Sequence, residues 1–114
     1  MPGKRTHYDT PSYAVLWREA DGSVCSGELE LGEEALRLDG TCRFRASCTQ
    51  EVPYRRISRV RIGRAVRERI DGRAALVIEL GREQKLLVTS TVGLGMIHEI
   101  AERLNALTGG LVAV

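Results

Sequence analysis

Aromatic residues are scarce, making up only 4% of the 114-residue chain. Tyr54 is the lone aromatic between Pro53 and Ile70, in the basic part of the chain, which disfavours stacking on single-stranded nucleic acid. Lysine is nearly absent, 2 residues against 15 arginines. Long apolar runs are missing too: the longest uncharged interior stretch, Leu86 to His98, falls short of the roughly 20 residues that span a bilayer. The first ten residues carry Lys4, Arg5, His7 and Asp9 with no apolar segment behind them, so no signal peptide is expected and the expected compartment is the cytoplasm. Cysteine is limited to Cys25, Cys42 and Cys48, an odd set without a C-x-x-C pair, and the only histidines are His7 and His98. Tetrahedral zinc takes four ligands at short, paired spacings, so no metal site and no cofactor are expected. The cysteines are expected as reduced thiols, two of them packed in strands as small apolar residues.

What remains is an ordinary globular composition. The chain is 43% apolar, with 17 basic against 15 acidic residues, which excludes disordered and repetitive classes and suffices for one core.

Period two dominates the pattern. Tyr13, Val15 and Trp17 alternate along a first strand from Ser12 to Glu19, and Asp21-Gly22 reads as a turn. A second strand covers Val24 to Leu31, with Gly27, Leu29 and Leu31 on one face and Glu28 and Glu30 on the other. Ala35 to Leu38 reads as a third strand closed by a turn at Asp39-Gly40, and Cys42, Phe44 and Ala46 as a fourth. Pro53 opens an irregular segment through Arg56, and Ile57, Val60 and Ile62 resume a strand with Gly63 at a bulge. Asp71-Gly72 is a hairpin turn between further strands, Ala75 to Leu80 and Leu86 to Thr89. The period then changes. Ser90 or Thr91 offers an N-cap, Ile97, Ile100, Ala101, Leu104 and Leu107 follow at helical spacing over about 91–107, and Gly109-Gly110 ends the helix. Residues 1–11 are expected to be a flexible tail, 12–108 the domain, and 109–114, including Leu111 and Val112, a C-terminal tail.

About seven short antiparallel strands followed by one amphipathic helix make a mainly β chain. Its turns at Asp21-Gly22, Asp39-Gly40 and Asp71-Gly72, its Val52-Pro53-Tyr54 entry into Ile57 to Ile62 and its terminal helix resemble the pleckstrin-homology-like superfold, in the small single-domain form of bacterial type. That resemblance implies two nearly orthogonal sheets forming a partly open barrel with the helix plugging one end. Lipid-binding members hold a headgroup with basic residues around the loop between their first two strands. Here that stretch, Arg18-Glu19-Ala20-Asp21-Gly22-Ser23, has one arginine against two acids, so phosphoinositide recognition does not carry over.

Charge is uneven along the chain. Between Arg43 and Arg73 stand 10 arginines against Glu51, Glu68 and Asp71, a local net of +7 that leaves −5 for the rest. Arg55, Arg56, Arg59, Arg61, Arg64 and Arg67 are the candidate site residues for an anionic lipid, a phosphate ligand or another partner, since arginine grips such groups bidentately. The plainer reading is a solvated strand face rich in arginine by composition. A single basic helix over 53–70 that enters DNA is a further alternative, opposed by Gly63 and by the β-branched Val60, Ile62 and Val66. Gly93-Leu94-Gly95 lacks the third glycine of a phosphate loop, His98 standing in its place. No catalytic residue is identified: neither histidine has a motif, and no serine sits in a nucleophile elbow. The expectation is a non-catalytic module that binds protein or self-assembles through an exposed strand edge, with anion binding over 55–73 as the alternative and nucleic acid disfavoured.

Overall fold

The computed structural model describes residues 11–19, 22–43, 45–81 and 84–108. The expected tails, apart from Pro11, lie outside these residues, as do Asp21, Phe44 and the Gly109-Gly110 stop.

The chain is mainly β, and its described residues form eight strands and one α-helix: β1 (Ser12–Arg18), β2 (Val24–Leu31), β3 (Ala35–Cys42), β4 (Arg45–Pro53), β5 (Arg59–Gly63), β6 (Arg69–Ile70), β7 (Arg73–Glu79), β8 (Lys85–Ser90) and α1 (Leu94–Leu107). Hydrogen-bonded order is β4-β3-β2-β1-β8-β7-β5, with β6 paired to β7 beside it. The β1–β8 pairing, Val15 opposite Ser90 through Arg18 opposite Leu87, joins the two meanders into one antiparallel sheet that is not closed.

Alternation decides which side faces in. Tyr13, Val15 and Trp17 of β1, Cys25, Leu29 and Leu31 of β2, Leu36 and Leu38 of β3, and Cys48 and Val52 of β4 are all buried. Each large aliphatic side chain among them contributes about 1.5–3 kcal/mol. Trp17 has its Nε1 satisfied by Glu19 Oε2 at 2.7 Å. The helix adds Ile97, Ile100 and Leu104 to the core, and its Tyr13 contact is polar, the phenol donating to Glu99 Oε2 at 3.1 Å. Desolvation, then that hydrogen bond, raises the Tyr13 pKa.

Several local expectations change. Asp39-Gly40 is no turn: β3 runs on to Cys42, and Gly40 pairs with Gly27 across β2 and with Cys48 across β4. A Cβ on Gly27 would overlap the Asp39 carbonyl oxygen, and one on Gly40 the Ser26 carbonyl oxygen. These glycines serve close approach of two strands rather than reversal. Gly63 marks no bulge either, for the β5–β7 register is unbroken from Arg59↔Glu79 to Gly63↔Ala75. Asp71 and Gly72 do form the hairpin, with φ of 54° and 76° as a type I′ turn requires.

The single helix over 53–70 does not form. Tyr54–Arg56 and Val66–Glu68 are isolated 3-10 turns flanking β5, and Arg69–Ile70 is strand. The true helix begins at Leu94 rather than Thr91, because Ser90 Oγ takes the amides of Val92 (2.8 Å) and Gly93 (3.2 Å) and holds that segment in a turn. Leu107, expected inward, is exposed at the last turn.

Candidate functional site

The two ends of the strand order differ in what covers them. β4 pairs only with β3 among the described residues. Tyr54 N–H donates to Glu34 O at 3.0 Å, which fixes the alternation of that ladder: Val52, Gln50 and Cys48 exchange hydrogen bonds with β3, while Glu51 and Thr49 turn their main-chain groups the other way, and beyond Gly40↔Cys48 the register shifts. The side chains of Ser47, Thr49 and Glu51 are exposed on the outer face. At the other end, β5 packs against α1, which also contacts β7 and β8.

Beside β4 lies an open cleft of about 600 Å³, lined by Gln50 and Val52 of β4, Arg18 at the end of β1 and Glu19 after it, and Arg56 and Leu86. Gln50 is half-buried and its Oε1 takes no hydrogen bond. Tyr54 closes the end of β4, its hydroxyl donating to Gly32 O at 2.7 Å, and burial pushes its pKa up to about 12.

The six candidate arginines do not form one surface. Arg61 is part of the fold: its guanidinium grips Glu68 through two bonds of 2.6 and 3.1 Å and reaches Glu79 at 3.2 Å. The hydrogen bonds from Arg61 hold the Glu68 carboxyl below its usual pKa, and those carboxylates raise the Arg61 pKa. Gly63 makes the room for this triad, since a Cβ there would lie 2.7 Å from Glu68 Oε1. Arg56 is exposed and donates to Gln84 at 3.2 Å. Arg55, Arg59, Arg64 and Arg67 are exposed and make no ion pair among the described residues. Arg64 and Arg67 are drawn into a basic knot that the sequence did not single out: Arg18 donates to the carbonyls of Arg67 (3.2 Å) and Arg69 (2.7 Å), and Arg69 to that of Arg64 (3.4 Å). At its tip Val66 is 86% exposed.

The cysteines depart furthest from expectation. Cys25 and Cys48 are buried in strands as predicted, but all three sulfurs converge within 4.8 Å of one another. Cys25 stands directly opposite Cys42, with Cα atoms 4.2 Å apart, and Cys48 approaches across β3 and β4 with its Cα 6.5 Å from that of Cys42. Cys42 Sγ lies against both other sulfurs, so three independent thiols are not what the fold presents. Spacings of 17 and 6 residues give no hint of this, because the strand register alone brings the side chains together.

His98 is exposed on α1. No helix of the described residues is long and apolar enough to cross a membrane.

No protein-family profile and no curated protein matches the chain. Among solved structures, it is similar to the crystal structure of the C-terminal domain of an unknown protein from Leishmania infantum, with a TM-score of 0.63, 12% identity, and coverage of 91% of this chain and 89% of that one. At that identity the likeness is one of fold: a β-sheet domain with a C-terminal helix.

Proposed function

We propose that the chain is a non-catalytic, cytoplasmic interaction module of the pleckstrin-homology-like kind that self-assembles by adding the β4 strand of a second copy to its own. The order of a four-strand meander, a second meander and a closing helix supports the fold reading. The outward main-chain groups of Thr49 and Glu51, which no other described strand takes up, carry the functional one, since an unpaired edge is a template for another strand.

The residue order on this edge suits a twofold pairing. In an antiparallel β4–β4 contact centred on Thr49, Thr49 meets its counterpart and Ser47 meets Glu51 of the second copy. This places a β-branched pair at the centre and avoids Glu51 facing Glu51, a like-charge contact that costs stability. Its interactions are main-chain hydrogen bonds, so it tolerates salt.

Light scattering across protein concentration at low and high salt tests the reading. A dimer at both salts, converted to monomer by Thr49→Pro, is the expected result; a monomer throughout overturns it. A second reading rests on Val66, which projects between Arg64, Arg67 and Arg69 as an apolar tip in a basic collar suited to an anionic lipid surface. It predicts sedimentation with anionic but not zwitterionic vesicles at low salt, abolished by Arg64→Glu with Arg67→Glu.

A further inference from the structure

We propose that Cys25, Cys42 and Cys48 together bind one thiophilic d10 metal ion, Cu(I) before others, in a three-coordinate, all-sulfur site.

Every cysteine of the chain takes part in the cluster. A disulfide accounts for two of the three, because a sulfur joins only one such bond; it leaves the third sulfur beside the pair as packing alone. A single ion uses all three. Metal–thiolate bonds of about 2.3 Å place trigonal sulfurs about 4.0 Å apart; the Cys25 and Cys48 sulfurs already stand 3.8 Å apart, whereas Cys42 Sγ lies against both and has to swing away from each. Rotation of the half-buried Cys42 side chain is the movement that opens the cluster around an ion.

The surroundings select the ion. Cys25 and Cys48 are 1% and 6% exposed, and Cys25 neighbours the fully buried Trp17 across β1 and β2. Neither histidine nor carboxylate belongs to the cluster among the described residues. Oxygen-seeking Mg²⁺ and Ca²⁺ are thereby disfavoured, and Zn²⁺ is left without its usual fourth ligand. Cu(I) accepts an all-sulfur set of soft ligands. The backbone preorganises the donors: Cys25 and Cys42 are directly opposed, and the register shifts between Gly40 and Cys42. Gly27 and Gly40, in the row beside Cys48, add no side chain to crowd the sulfurs.

The test starts from reduced, anaerobic full-length protein in which thiol counting finds three free thiols. Titration with Cu(I) against a coloured Cu(I) chelator should give one ion per chain, with all three thiols protected and protons released as the thiols ionise. X-ray absorption at the copper edge should report three sulfur neighbours. Cys42→Ser, at the half-buried end of β3, should weaken binding by about 100-fold or more while circular dichroism shows the sheet intact; Cys48→Ser should do the same. Failure to compete with the chelator, protection of only two thiols, or full affinity in either variant overturns the site. So does a chain that cannot be reduced to three thiols without unfolding, which would make the cluster a structural disulfide with a spare cysteine.

Discussion

The arginine-rich stretch around β5 and the plain polar stretch of β4 invert the impression that each gives in the sequence. Six arginines from Arg55 to Arg67 announce a binding surface, yet Arg61 is consumed by Glu68 and Glu79. Thr49 and Glu51 announce nothing, yet their main-chain groups point to a side of β4 on which no described strand pairs. Conspicuous charge and available bonding capacity are different properties. Charge is written in residue type, whereas availability is written in topology.

The comparison is broken most severely from within the β4 side. Gly40→Val should destabilise the domain by more than about 3 kcal/mol in urea unfolding, because the new side chain overlaps the β2 backbone on which the β4 register depends. Two proline substitutions on neighbouring residues sharpen it. Gln50→Pro removes an amide that bonds to β3 and should cost about 3 kcal/mol, while Thr49→Pro removes one that points outward and should cost no more than about 1 kcal/mol, yet abolish the dimer. Equal costs for the two would mean that the edge has been assigned to the wrong residues.

On the arginine side the effects are smaller. Arg61→Met should cost about 1–3 kcal/mol, because it leaves Glu68 and Glu79 without their shared cation. The Glu68 pKa is lowered in the folded state, so the contribution of this pair is fully present above the ordinary glutamate pKa of about 4.3 and is lost as pH falls through the folded value. Wild-type stability should therefore drop in acid more steeply than that of Arg61→Met, as measured by urea midpoints across that range. Arg59→Glu, at an exposed and unpaired position, should change stability by no more than about 0.5 kcal/mol.

Local pattern was enough to read β2 to the residue and β1 to within one, since their alternation is strict and both are buried on one face. The Asp71-Gly72 hairpin was legible for the same reason, as its φ values are a local demand. Asp39-Gly40 carries identical letters and forms no turn, because Gly27 stands opposite and the two strands need the space. The helix start was misplaced because the Ser90 hydroxyl serves a turn before the helix. Neither the convergence of the cysteines nor the open edge of β4 was legible at all. Both depend on which strands become neighbours, and nothing within one strand records that.

The β1–β8 ladder also governs how the protein comes into being. Val15 pairs with Ser90, so the first strand gains its second neighbour only after the whole stretch between them has been made. A nascent chain cannot complete this sheet before β8 has emerged, and until then its first meander must wait with one flank of β1 bare. Such distant pairing places refolding in the millisecond-to-second range of β-rich domains. It also makes the interval before β8 arrives the period of greatest exposure to misassembly.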